Sequence, residues 1–571
     1  MYFDFLVPVP DVPGKIVRKR IKETVYIDYE YHRFYDPVRK FNIPKRTTIG
    51  KQSPYDPSMM LPNQNYLRYF PDAELPPEKA GSERSSCMRI GAYLVISKII
   101  KDYRLDAIIG KLFGKDGGFL LDLAAYSIVC ENNAGQYYPD YAFNHPLFTE
   151  AMRIFSDAKV SSFLCSITEE HTSSFLNEWN RKRNHTQRIY ISYDSTNKNC
   201  QAGDLSIVEF GHAKEATGAP IFNYAIAYDQ SNREPLFYEE YPGSIVDVAQ
   251  LQLMLEKAKA YGYRNVGFIL DRGYFSKGNI RYMDNCGYDF VIMVKGMASL
   301  VRGLITEHQG SFEHARECAI RSHKVYGKTV HARLYTSDAA DRYFHLYYSS
   351  AKDSAEKEEV ETKIDRMTKL LAACEMTQVT FPRTFSDYFD LIYDEKQNLF
   401  LFGQEKAAVI ERELGLCGYF CIVTSAQMSA REALDLYKSR DQHEKLFRGD
   451  KSYLGNKSLR VHANESVSGK IFVEFIALII RNRMYCQLKD EMEGYAAKPN
   501  YMTVPAAIRE LEKIELIKQM DGVYRLDHAV SARQKNLLKA FGLDADHVRE
   551  KAIELGKALL KTKSTIPSQE A

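Results

Sequence analysis

Three acidic residues and one helical stripe carry most of the chemistry this sequence can offer. The stretch YKSRDQHEKLFRGDK, residues 437–451, reads as a charged helix. At about 100° per residue, Arg440 lies roughly 60° from Tyr437, Glu444 about 20° and Lys451 about 40°. An acid, two bases and an aromatic therefore share one side. By itself the stripe reads as a solvated face with an Arg440–Glu444 ion pair four residues apart. Two aspartates upstream change that reading. Asp194 in IYISYDST follows an apolar strand and precedes a polar turn, and Asp271 in GFILDRG closes another strand.

A lone Asp at a strand end is most often a turn former or helix cap. Two of them, in the first and fourth strands of one sheet, make a different case. Acids at strand ends of an α/β sheet lie where ligands and metals bind. If the two strands are neighbours, like charges converge at a cost that a divalent cation removes. Carboxylate-only ligands favour a hard ion, Mg²⁺ or Mn²⁺. Two-metal phosphodiester chemistry needs a third carboxylate reaching in from a packed helix, and Glu444 is placed to supply it. Glu474, inside IFVEFIALII, reads instead as a buried, paired glutamate.

Two other motifs fail. GKLFGKDGG at 110–118 spaces its glycines one residue too closely for a phosphate loop and has Asp116 where Ser or Thr is needed. HEKLF at 443–447 opens like a zinc-protease motif, but Phe447 stands where the second His must be.

The elements that must position the acids follow from the changing hydrophobic period. Residues 1–85 read as a β-rich region, basic and aromatic, and 86–185 as helices with apolar residues every three or four positions. RIYISYDST, LSIVEFGHAK and IFNYAIAYD read as three strands, followed by the helix VDVAQLQLMLEKAKAYGY, the strand NVGFILDRGYF, the helix IRYMDNCGY and the strand YDFVIMVKG. That succession, 186–297, predicts an α/β layer with a mixed sheet. Residues 298–416 read as a mainly β insertion around a charged helix at 351–373. The α/β pattern resumes over 417–490 with the strand GYFCIVTS, the helix AREALDLYKSRDQHEKLF and an apolar helix at 469–485. Residues 498–571 read as a small winged or helical module, with helix 503–517, the strand GVYRLD and helix 530–541.

A length of 571 residues calls for several domains, and 45% hydrophobic with 26% charged residues is a globular composition. The apolar run at 471–480 is too short to span a bilayer, and MYFDFLVPVPDVPGK lacks a leader signature, so a cytoplasmic protein is expected. Ten cysteines without a CxxC pair suit a reduced compartment, and Cys417 and Cys421 suit buried thiols better than zinc. Net charge is only +3, yet residues 15–51 hold eleven Lys/Arg against four Asp/Glu, interleaved with tyrosines. That stretch could lie on phosphates or form a solvated β-hairpin.

In this order the residues resemble a known family. Asp194, Asp271 and Glu444 resemble the DDE triad of bacterial insertion-sequence transposases on a ribonuclease H-like fold. Tyr437-x2-Arg440-x3-Glu444-x6-Lys451 is similar to the Y-R-E-K signature of their insertion-sequence-four group. LDRGYFSKGNI and SLRVHANESVSGKIFVEFIALII look like that group too, and the likeness covers about 185–485, with a weaker echo at RTTIGK. The resemblance implies that the three acids hold two Mg²⁺ (or Mn²⁺) ions for cleavage at element ends and strand transfer into target DNA. It implies phosphate contacts from Tyr437, Arg440, Lys451 and Arg272. It also implies double-stranded DNA partners (terminal inverted repeats and target), a homodimer on paired ends, no membrane, and a bacterial, nucleoid-associated location. Two rival readings are a ribonuclease H-like nuclease that cuts without joining, and a DNA-binding descendant of a transposase that has lost catalysis. The second predicts loss of at least one acid, and all three are present.

Overall fold

The computed structural model describes residues 2–3, 6–21, 24–36, 40–54, 56–73, 75, 84–183, 188–199, 205, 207–209, 221–242, 247–294, 298–338, 341–394, 398–441, 445–446, 449–454, 458–461, 463–493, 502–520 and 522–564. Its centre is a nine-stranded mixed sheet. We number its strands β1 (Ile189–Asn199), β2 (Ile221–Asp229), β3 (Glu234–Pro242), β4 (Val266–Leu270), β5 (Asp289–Met293), β6 (Ala319–Ile320), β7 (Val325–Ala332), β8 (Arg342–Tyr348) and β9 (Tyr419–Thr424). Their spatial order is β6-β7-β8-β9-β5-β4-β1-β2-β3. β1, β2 and β3 form an antiparallel meander, while β4 and β5 run parallel to β1 through the helices α1 (Asp247–Ala260) and α2 (Lys277–Cys286). This mixed α/β core is consistent with a ribonuclease H-like fold.

Each face of the sheet carries its own layer. Phe268, Leu270, Phe290 and Ile292 join the main core with Leu251, Met254, Leu255, Ile280 and Met283 of α1 and α2. The alternate residues Ile269, Val291 and Ile422, with Tyr347, pack instead against Ala430, Leu434 and Tyr437 of α3 (Ala430–Ser439). Period-two alternation thus serves both layers. The long helix α4 (Asn464–Glu493) reaches the meander, where Phe475 lies 4.9 Å from Tyr238, ring centre to ring centre.

Several expectations are corrected. The third meander strand is Glu234–Pro242; of LSIVEFGHAK only residues 205 and 207–209 are described, and there Glu209 makes an isolated bridge to Ile221. The region 298–416 is not mainly β: its described residues hold more helix than strand, with helices at Ala298–His308, Ser350–Ala373, Arg383–Tyr388 and Ala407–Leu414. Three of its strands, β6, β7 and β8, extend the central sheet. The helix 350–373 is laced by the ion pairs Lys352–Glu356, Lys357–Asp353 and Lys369–Asp365, each four apart. The predicted helix 503–517 ends at Leu511, and Glu515–Lys518 is a strand pairing with both Tyr524–Leu526 and Cys87–Arg89. The N-terminal region holds a five-stranded antiparallel sheet in the order Val7–Pro8, Met59–Pro62, Phe41–Gln52, Thr24–Asp36, Ile16–Ile21.

Candidate active site

β1 and β4 are parallel neighbours, with Tyr193 in register with Leu270. Asp194 and Asp271 are the next residue on each strand, about 4.8 Å apart at the backbone by strand spacing. Leu270 faces the α1/α2 layer, so alternation turns Asp271, and Asp194 beside it, toward the face that α3 covers. The strands are therefore neighbours and the two carboxylates converge.

Local structure fixes both. Past Asp271 the chain turns at once into the short 3₁₀ segment Arg272–Tyr274, with the Tyr274 amide donating to the Asp271 carbonyl at 3.0 Å. Tyr274 is buried, its ring 5.5 Å from Tyr193, which locks the turn to β1. Asp194 Oδ1 accepts the Ser195 amide at 2.8 Å.

The third component arrives from α3. A capping box starts that helix: Ser429 Oγ accepts the Glu432 amide at 3.2 Å, and Glu432 accepts the Ser429 amide at 2.7 Å. Tyr347 Oη donates to the Ala430 carbonyl at 2.7 Å and fixes the helix on the sheet. At the other end, the Arg440 guanidinium sits 5.2 Å from the Tyr437 ring centre and 2.6 Å from Asp271 Oδ1. Burial works against its charge, but Tyr437, Asp271 and Asp194 outweigh that and hold it above its ordinary value. Arg440 pairs with Asp271; the Arg440–Glu444 pair the sequence suggested lies outside the described residues. Tyr437 is only 6% exposed, so its ring backs Arg440 instead of facing solvent.

Glu444 lies outside the described residues, as does the Arg272 side chain; Lys445 and Leu446 resume the helix. Gly449–Tyr453 is a π-helical turn carrying Asp450 and Lys451. Gly449 opens that turn, and the 40° placed on Lys451 from a 3.6-residue period does not apply there. All converging donors are carboxylate oxygens, the donor set of Mg²⁺ or Mn²⁺, and Asp271 is 37% exposed and reachable. Asp194 and Asp271 therefore fit a hard cation. Among the described residues no group of three His, Cys, Asp or Glu side chains forms a metal cluster.

A second charged cluster was not read from the sequence. Lys198, four residues beyond Asp194 on β1, is fully buried, with Nζ 3.0 Å from Asp450 and 2.9 Å from Glu474, both equally buried. Tyr224 lies under the ammonium, at 4.2 Å. Asn133 Nδ2 donates to Glu474 at 3.3 Å, and Lys470 donates to the Asn133 carbonyl. Glu474 is buried and paired, as its apolar surroundings predict. No such signal marks Lys198 in the sequence: it lies in the polar run DSTNKN, which reads as a turn beyond the apolar strand.

The fold and the paired acids define a mixed α/β protein with a carboxylate site on adjacent strands, where β4 ends at Leu270 while β1 runs on past Asp194 to Asn199 in place of the polar turn the sequence suggested. Residues 193–480, half of the chain, match the family described as Transposase DDE domain. The chain belongs to that family of DNA transposition proteins. A structural comparison pairs it with a piggyBac transposase from a synaptic complex with hairpin DNA, solved by cryo-electron microscopy, at TM-score 0.34 and 7% identity over 84% of this chain and 80% of that one. A comparison with curated proteins gives no significant match. Among the described residues, no helix is long and apolar enough to cross a membrane.

Proposed function

We propose that this protein is a cut-and-paste transposase of the insertion-sequence-four group, cleaving at the ends of its element and joining them to target DNA. The observation that carries the reading is the convergence of Asp194 and Asp271 under Arg440, at the C-terminal end of α3 and four residues before Glu444 in sequence. Asp194, Asp271 and Glu444 would hold two Mg²⁺ or Mn²⁺ ions. When bound, these supply activation of the attacking oxygen and neutralisation of the leaving one.

The chain's own residues do the positioning. Asp194 and Asp271 present oxygens side by side from two rigid strands. Arg440 neutralises part of their charge in the metal-free protein and offers a planar fork to a phosphate once DNA arrives. Tyr437 supports Arg440 from beneath, Lys451 adds a point charge from the π turn, and Arg272 stands beside Asp271 in sequence. The DNA partners are the terminal inverted repeats and the target, held by a homodimer so that both ends are cut together, in the bacterial cytoplasm.

The test is purified protein with duplex carrying the element's own ends, in Mg²⁺ or in chelator. Cleavage is expected only with the metal, and Asp271→Asn or Glu444→Gln abolishes it while end binding survives. Full activity in either variant overturns the assignment. A product that is cut but never joined would favour a nuclease.

A further inference from the structure

The Thr24–Asp36 and Phe41–Gln52 strands run on past the rest of their sheet. On the Thr24–Asp36 strand Ile16–Ile21 reaches only residues 24–29, and on the Phe41–Gln52 strand Met59–Pro62 reaches only 50–52. From His32 outward, residues 32–36 and 41–45 are paired as strands solely with each other, making a two-stranded ribbon about 17 Å long. A bulge between Glu30 and His32 sets its angle. Phe34, Tyr35 and Phe41 are 39%, 57% and 51% exposed, an expensive arrangement for a bare hairpin in water.

The charge is as uneven as the packing. Residues 30–46 carry five Lys/Arg and two Asp/Glu, so this short segment alone matches the net +3 of the whole chain. Cross-strand partners share a face, which places His32, Lys45, Phe34, Ile43 and Phe41 together. Lys45 Nζ lies 5.6 Å from the Phe34 ring centre. At the base, Glu30 is buried and holds Arg33 at 2.6 Å and Arg46 at 3.4 Å, stiffening the ribbon where it leaves the sheet.

We infer that this ribbon is a DNA-docking arm that lies in a groove of duplex DNA, with Lys40 and Lys45 on the phosphates and Phe34 and Phe41 toward the base edges. A two-stranded ribbon with its side chains matches the roughly 12 Å width of the major groove. Self-association through the ribbon edge is disfavoured, because Pro44 lacks the N–H a new strand would need and the bulge and edge charges spoil a flat template. The inference rests on the proposed function only in taking DNA as the polyanion.

The experiment uses the full chain and a fluorescent duplex of random sequence, in chelator, across a salt series. Each phosphate contact contributes about 0.9 to the log–log salt slope, so Lys40→Gln/Lys45→Gln should lower the slope by about 2. Phe34→Ala/Phe41→Ala should weaken binding at least about tenfold with the slope unchanged, as expected when base-edge contacts are lost. Unchanged thermal melting of both variants shows that they fold. Binding like the unmodified protein in both overturns the inference, and so does a change in oligomeric state without a change in DNA affinity. Metal-dependent cleavage by the unmodified protein is scored separately: its absence alongside ribbon-dependent binding sinks the proposed function and leaves the arm standing.

Discussion

Replacing Lys198 with methionine should reveal how tightly the strand bearing Asp194 is tied to the π turn bearing Lys451. In the structure one ammonium serves two carboxylates, at 3.0 Å and 2.9 Å, with all three side chains sealed from solvent. Methionine keeps most of the length and removes the charge. Asp450 and Glu474 are then two like charges at one buried point, and both cannot stay ionised. Burial already raises Glu474 above its ordinary value even with Lys198 in place. The cheapest escape is to take up a proton. At pH 7 that costs about 1.4 kcal/mol for each pH unit above the ordinary carboxyl value, or about 4 kcal/mol for one acid. This agrees with the roughly 3–5 kcal/mol found when a buried pair loses one partner. At pH 5 the same protonation costs only about 1 kcal/mol. The sign follows from linkage: the folded variant holds more protons than its unfolded chain, so its stability falls as pH rises. Urea unfolding, followed by the fluorescence of Trp179 in the adjoining core, should show a deficit of about 4 kcal/mol at pH 7 that shrinks by nearly 3 kcal/mol at pH 5. Lys198→Met/Asp450→Asn/Glu474→Gln, which removes all three charges, should recover much of it. A Lys198→Met protein with the same midpoint deficit at both pH values refutes the reasoning.

Two further outcomes follow from buried groups elsewhere. His345 on β8 is sealed between Thr329 Oγ1 at 2.9 Å and Thr424 Oγ1 at 3.0 Å, and burial pushes it down to about 4 from its ordinary value. The unfolded chain therefore takes its proton first as acid is added, and stability is lost as pH falls from about 6.5 through 4, by roughly 3 kcal/mol; His345→Gln should remove that component from unfolding measured at pH 7 and pH 4.5. At Gly449 an added Cβ would lie 2.4 Å from Nη1 of buried Arg481, whose guanidinium stacks 4.8 Å from the Tyr453 ring centre. Gly449→Ala should cost about 1–3 kcal/mol through overpacking and lower cleavage by displacing the Lys451 turn; wild-type stability would show that Arg481 moves freely.

The acids were legible in the sequence because each follows an apolar run, although only Asp271 closes its strand and β1 continues past Asp194 to Asn199. Their adjacency was not. It depends on β4 pairing with β1 across the whole meander, and a register of that kind leaves no local mark. The third meander strand was missed because EPLFYEEYP mixes proline and glutamates with its core residues, whereas LSIVEFGHAK looks the better strand by propensity alone. The β extension of the sheet through residues 319–348 was assigned to the insertion for a related reason. β8 and β9 lie side by side in the sheet but are separated by about seventy residues of chain, so nothing in either strand points to the other.

The stripe at 437–451 marks the boundary between what periodicity can say and what it cannot. Tyr437 and Arg440 do share a side, as a 3.6-residue period requires, with ring and guanidinium 5.2 Å apart. At 449–453 the 3.6-residue period does not hold, because the π turn spends extra residues on one revolution. The cause is tertiary: Asp450 is drawn to Lys198, and Gly449 gives way to Arg481. Asp450 sits next to Lys451, so the same buried ion pair that anchors the π turn also fixes where that lysine emerges. Of the stripe's described positions, Tyr437 and Arg440 are presented at the end of α3 and Lys451 by the turn that the Lys198 cluster holds, and only the first two obey the arithmetic that suggested them.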